Sequence, residues 1–232
     1  MRGIVAITGT SSGIGRAIAL KFLENNFVVY GFDIRDSTIT SDEPVLDDNY
    51  IHLKEDIRYI NRDELNLPKF DIIINNAGIQ TDHEENNEDI DVNLKGTIKF
   101  TEQFLEDKPA SVLFIGSVSA HSGFEFPEYV ASKGGLQAYM KNVAVRVAKW
   151  GGTCNSLDPG GVFTELNRPV IDDDYLWEQI MEVTPLKRWA TVEEIADWAY
   201  FLTVTQSFCT GQSIVVDGGE KDLRCSFVWP ET

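Results

Sequence analysis

Tyr129 and Lys133 stand four residues apart, a spacing that puts both side chains on one face of a helix. A tyrosine hydroxyl can give or take a proton, but its ordinary pKa of ~10 makes it a poor base near neutrality. A neighbouring ammonium stabilises the tyrosinate, so the pair suits proton transfer to a developing alkoxide or from an alcohol. By themselves, two such residues are more often an aromatic core side chain and a solvated cation. Ser117 lies twelve residues before Tyr129, directly after the apolar run Val112 to Ile115. A hydroxyl there can polarise a substrate oxygen, or simply cap a turn. Ser119 offers a second hydroxyl two residues on.

A different chemistry is suggested near the N-terminus by Thr8-Gly9-Thr10-Ser11-Ser12-Gly13-Ile14-Gly15. Glycines let a backbone turn tightly and approach a pyrophosphate, and the free amides of a following helix attract its negative charge. A β-branched run precedes this turn and a helical pattern follows it, which is the context a dinucleotide-binding turn needs. The Gly-Lys-Ser/Thr ending of a mononucleotide loop is absent. Asp33 ends the next apolar run, 18 residues beyond Gly15, where a carboxylate can accept bonds from adenosine ribose hydroxyls. It would repel the extra phosphate of NADP, which favours NAD, although Arg35 stands two residues away.

These groups need elements to hold them. Short runs rich in β-branched and aromatic residues at Ile4 to Thr8, Val28 to Phe32, Tyr50 to Leu53, Asp71 to Asn75, Val112 to Ile115, around Cys154 to Leu157, and Ser213 to Val216 read as strands. Between them, helical periodicity marks Ile14 to Glu24, Ile90 to Phe104 despite Gly96, Tyr129 to Trp150, and Glu193 to Leu202. Alternation of this kind predicts an α/β fold: a doubly wound, mostly parallel sheet with helices on both faces, the Rossmann arrangement. No break in composition divides the 232 residues, so a single dinucleotide-binding catalytic domain is expected over 1–232. Within it, 165–190 is expected to cover the substrate and 220–232 to be a C-terminal extension carrying the apolar cluster Phe227, Val228 and Trp229.

Charge and composition narrow the function classes. A formal charge of −17 disfavours nucleic acid and anionic membranes as partners, and no apolar run approaches the length of a membrane span. Cys154, Cys209 and Cys225 are widely spaced and form no C-x-x-C pair, and the start of the chain lacks the layout of a secretory signal, so the cytoplasm is the expected compartment. His52, His83 and His121 form no compact ligand motif, and no metal is expected. His121, four residues after Ser117, either lines the substrate site or holds a structural hydrogen bond, the second being commoner for a loop histidine.

The ordered motifs resemble those of the short-chain dehydrogenase/reductases over residues 4–219. Thr8 to Gly15 matches T-G-x-x-x-G-x-G, Asn75-Asn76-Ala77-Gly78 matches N-N-A-G, and Tyr129 to Lys133 matches Y-x-x-x-K. The resemblance implies an enzyme in which Tyr129 transfers the proton and Ser117 orients the reacting oxygen. It also implies that Lys133 lowers the tyrosine pKa and binds the nicotinamide ribose, and that Asn93 supports a proton relay. For the cofactor it implies Gly9, Ser11, Ser12, Gly13, Ile14 and Gly15 at the phosphates, Asp33 at the ribose, Asp56 and Ile57 over the adenine, and Asn75, Ala77 and Gly78 beside the adenosine. Pro159, Gly160, Val162 and Thr164 resemble the turn that faces the nicotinamide; Asp158, just before that proline, and Trp189-Ala190 depart from the family pattern.

The expected activity is thus NAD-dependent hydride transfer on a small alcohol or carbonyl compound, a sugar or hydroxy acid among the candidates. NADP-dependent reduction of a 3-oxoacyl thioester or a hydroxysteroid is the enzymic alternative. A non-catalytic nucleotide-sensing or scaffold protein is the other. Relatives of this kind suggest a homodimer or homotetramer.

Overall fold

The β-branched runs pair side by side in one direction. In the computed structural model, which describes residues 3–40, 43, 49–81, 87–124 and 126–223, the strands are β1 (Ile4–Thr8), β2 (Val28–Asp33), β3 (Tyr50–Lys54), β4 (Ile72–Asn75), β5 (Ser111–Ile115), β6 (Thr153–Pro159) and β7 (Ser213–Val216). They form one seven-stranded sheet in the order β3-β2-β1-β4-β5-β6-β7. Every pairing is parallel. The Rossmann expectation is met.

Period-2 alternation sends successive side chains to opposite faces, and each face has its own core. Val5, Ile7, Val29, Ile74, Leu113 and Leu157 meet α1 (Gly13–Glu24) and the later helix carrying Ile195 and Ala199 on one side. Ala6, Phe32, Ile73, Val112, Phe114 and Cys154 meet Phe100, Phe104, Met140 and Val143 on the other. Parallel strands need both faces covered, which explains why Ile72 to Ile74 is apolar without interruption.

The segment expected as one helix from Ile90 to Phe104 is two structures. Ile90–Gly96 winds as a π-helix and only then does α2 (Thr97–Phe104) begin. The wider turn is held from outside: Ile79 N–H donates to Asn93 Oδ1 and Asn93 Nδ2 donates back to the Ile79 carbonyl, each at 2.8 Å. Such a tertiary bond pair is invisible to periodicity.

Further along come α3 (Ser119–Ser122) and α4 (Pro127–Val147), which starts two residues before Tyr129 because Pro127 has the φ a first turn needs and no N–H to waste. The segment 165–190 holds two short helices, α5 (Arg168–Ile171) and α6 (Asp174–Val183). Asp173 caps α6, its carboxylate accepting from Tyr175 and Leu176 N–H at 3.0 Å. Finally α7 (Val192–Tyr200) opens on a reciprocal cap between Thr191 and Glu194. The cluster Phe227 to Trp229 and His83 lie outside the described residues.

Candidate active site

The strand order reverses between β1 and β4, and in parallel sheets the C-terminal ends of the strands at such a point leave a crevice for a ligand. The glycine-rich turn closes it on one side. Gly9 has φ +76° and Gly13 φ +53°, backbone conformations that disfavour a side chain. The turn is closed so tightly that a Cβ on Gly15 would stand 2.0 Å from the Gly9 carbonyl oxygen. Asn76 fixes it in place, its amide donating to the carbonyls of Thr8 (3.0 Å) and Gly9 (3.2 Å). Thr8 Oγ1 in turn accepts from the N–H groups of Asn76 and Ala77 at 2.9 Å. Neither residue's role follows from the family motif as a string, although both lie inside its two matches.

Asp33 is buried at the end of β2. One carboxylate oxygen accepts from Ser11 N–H and the other from Arg35 N–H, both at 2.9 Å. Arg35 also reaches over the loop, Nη2 donating to Ser12 Oγ at 2.7 Å. Asp56 presents no unpaired carboxylate: Arg58 holds it through Nη2 at 2.6 Å, and this guanidinium keeps the carboxyl below its ordinary pKa. Ile57 is buried in the core beside Gly96. Two polar atoms at the crevice have no partner among the described residues despite being buried, Ser11 Oγ and Asn75 Nδ2. An open cleft of about 430 Å³ continues outward from Gly13 and Arg16 to Phe163, Thr164 and Arg168.

The reacting end lies where β5 and β4 deliver their loops. Ser117 leaves β5 with its hydroxyl 2.9 Å from that of Ser119, and both are buried. On α4, Tyr129 and Lys133 are 9% and 5% exposed, and Lys133 Nζ is 5.6 Å from the Tyr129 ring centroid. The ammonium donates to the Ile115 carbonyl at 3.1 Å, which anchors it at the end of β5. Gly78 makes room at the same point, for a Cβ there would lie 3.1 Å from Asn93 Oδ1 and 3.6 Å from Lys133 Nζ. Asn93 Nδ2 also donates to Ser132 Oγ at 3.1 Å, tying the π-helical turn to α4. Four polar side chains from three separate stretches of sequence thus border one end of the sheet.

Pro159 ends β6, and Gly160, Val162 and Thr164 follow it into the same rim. Val162 is buried and bridges to Ala190, while the Phe163 ring rests against Trp177 with centroids 5.5 Å apart. Arg168 and Arg188 are paired with acids: Arg168 with Glu165 and Asp172, Arg188 with Glu194. His121 donates through Nε2 to the buried Asp158 carboxylate at 2.6 Å, the structural alternative of its two readings. Among the described residues no cluster of three or more His, Cys, Asp or Glu is arranged to hold a metal ion.

A family model described as enoyl-(acyl carrier protein) reductase matches residues 9–221, nearly the whole sheet and its helices. The chain belongs to the short-chain dehydrogenase/reductase family. It is 30% identical over 236 residues to a 3-oxoacyl-(acyl-carrier-protein) reductase of Buchnera aphidicola, covering 92% of this chain and 95% of that one. An L-rhamnose 1-dehydrogenase (NAD(P)(+)) of a Sphingomonas strain is 28% identical over 245 residues, with 93% and 94% covered. Among solved structures, 4-hydroxyisoleucine dehydrogenase complexed with NADH superimposes with a TM-score of 0.83 at 28% identity, covering 96% of this chain and all of that one. This short-chain dehydrogenase/reductase is accordingly an oxidoreductase whose similar proteins act on quite different small molecules.

Proposed function

We propose that the protein transfers a hydride between NAD and a small alcohol or carbonyl compound, with a sugar or hydroxy acid as the substrate class. The observation that carries this reading is the burial of Tyr129 and Lys133 on one face of α4, with Lys133 anchored to the end of β5 and Asn93 and Gly78 beside it. A binding protein has no need of an acid/base pair at that place.

The crevice suits a dinucleotide. Its turn lacks Cβ atoms where phosphates would approach, and the unpartnered Ser11 hydroxyl and Asn75 amide are buried polar groups that a ligand would satisfy. In this reading Gly9, Ser11, Ser12, Gly13, Ile14 and Gly15 hold the phosphates, Asp33 the adenosine ribose, and Asp56 and Ile57 flank the adenine through backbone and apolar surface. Asn75, Ala77 and Gly78 lie beside the adenosine, and Pro159, Gly160, Val162 and Thr164 orient the nicotinamide. When bound, the nicotinamide supplies or accepts the hydride.

The protein's own groups manage the proton. Ser117 donates to the substrate oxygen and stabilises charge as it develops there. Tyr129 gives that oxygen its proton in reduction and removes it in oxidation. Lys133, a buried cation close to the ring, favours the tyrosinate form, and Asn93 fixes the π-helical turn behind it. The segment 165–190, with Phe163 and Trp177 in contact at its edge, covers the substrate.

The test is Tyr129→Phe, followed by nicotinamide absorbance with a panel of sugars, sugar acids and hydroxy acids. Turnover is expected to fall by about 10²-fold or more while NADH binding stays intact. Turnover near wild type with intact binding overturns the reading.

A further inference from the structure

Asp158 is a buried acid that the proton chemistry does not use. It is 0% exposed, near the C-terminal end of β6 and close against Gly116. A carboxylate taken from water is costly unless its oxygens are well bonded. Here they are. Ser156 Oγ donates to Oδ1, while His121 Nε2 at 2.6 Å and Gln137 Nε2 at 2.9 Å both point at Oδ2.

The three donors belong to different parts of the fold. Ser156 is on β6 itself, His121 is on α3, and Gln137 is on α4, one turn beyond Lys133 and two beyond Tyr129. Ser117 occupies the short connection between β5 and α3, bracketed by two backbone bonds to the same strand: Gly116 N–H to the Leu157 carbonyl (2.8 Å) and Val118 N–H to the Pro159 carbonyl (2.9 Å). The carboxylate lies directly under this connection. A Cβ at position 116 would meet Asp158 Oδ1 at 2.1 Å, so only glycine leaves room for it.

We propose that Asp158, through His121 and Gln137, is a positioning residue that fastens the Ser117 segment to the helix bearing Tyr129 and Lys133. Ser117 and Tyr129 must meet one substrate oxygen from two separate elements, and a shift of about 1 Å between reacting groups can cost about 10²-fold in rate. The fastener spans those two elements at the floor of the site. It acts on geometry and touches no reacting atom. For its kinetic consequence the inference rests on the proposed hydride-transfer reading.

The test uses the full chain with His121→Ala, His121→Gln and Asp158→Asn. Glutamine places an N–H near the position of the imidazole Nε2 and is the conservative rescue. His121→Ala and Asp158→Asn are expected to lower kcat about 10- to 100-fold with substrate KM within about 3-fold and NADH affinity unchanged, and His121→Gln to recover most of kcat. Hydrogen exchange at the Gly116 and Val118 amides is measured without substrate or cofactor; it is expected to quicken in His121→Ala and return toward wild type in His121→Gln. Wild-type exchange in His121→Ala overturns the proposal, even if no substrate is found and the hydride-transfer reading has itself failed. So does a loss confined to KM, which would make His121 a substrate contact, or a glutamine variant as impaired as the alanine one. If Asp158→Asn does not fold, the two His121 variants decide.

Discussion

At the scale of single residues, the proposed preference for NAD rests on Asp33. Its carboxylate is buried, both oxygens take backbone N–H donors, and Arg35 lies across the loop with its guanidinium on Ser12. A ribose phosphate arriving beside that carboxylate would meet a fixed negative charge that Arg35, its Nε 3.4 Å from Asp33 Oδ1, only partly offsets. NADH is expected to bind the purified protein at least about tenfold more tightly than NADPH, and titration of each cofactor by fluorescence checks it. Equal or tighter NADPH binding refutes the NAD assignment. It would also favour the alternative of an NADP-linked thioester reductase. The identity of Asp33 could be read from its distance past the glycine turn. The arrangement of Arg35 could not, because a side chain two residues on can point to solvent or to the loop with the same sequence.

At the scale of elements, strand positions were legible almost throughout, since buried parallel strands advertise themselves as β-branched runs. What the pattern missed was made by tertiary bonds. The π-helical turn at Ile90–Gly96 has the same apolar spacing as an α-helix, and the bonds that accompany it, between Asn93 and Ile79, come from outside the helix. The roles of Asn76, Ser132 and Gln137 do not show in the sequence for the same reason: each bonds a group brought near only by folding. Periodicity placed the start of α7 at Glu193, one residue after its true first residue, Val192, which Thr191 and Glu194 cap. Glu194 is held down to about 2 by the Arg188 guanidinium first and the Thr191 N–H second. A depressed acid contributes stability above its unfolded value, 4.5, and loses it as pH falls through about 2. Glu194→Gln is therefore expected to melt slightly lower than wild type at pH 7, the effect being small because the pair is open to solvent. The gap should narrow as pH falls below 4.5; a gap constant down to pH 3 in thermal melts contradicts this.

For the whole molecule the dominant number is the charge of −17. Like charges at that density repel one another in the compact state more than in the extended chain. Sodium chloride raised from about 0.01 M to about 0.5 M shortens the screening length from ~30 Å to a few ångströms and is expected to raise Tm. A falling Tm would mean that the surface ion pairs, such as Arg146 with Glu102, outweigh the repulsion. Global architecture was the most predictable level, because strand-helix alternation admits few parallel topologies.

The strand order carries one more consequence, in the history of the chain as it folds. Val5 of β1 pairs with Val29, close by in sequence, but also with Ile72. That second pairing spans more residues than any other in the sheet, the next widest joining Ser156 to Ser213. Closing so long a loop costs entropy that grows with its length and makes the contact slow to form. The β1–β4 seam is also the one whose end opens into the crevice. The ligand site is thus built at the joint the chain must search longest to find, and during synthesis it cannot begin to exist until the fourth strand has emerged.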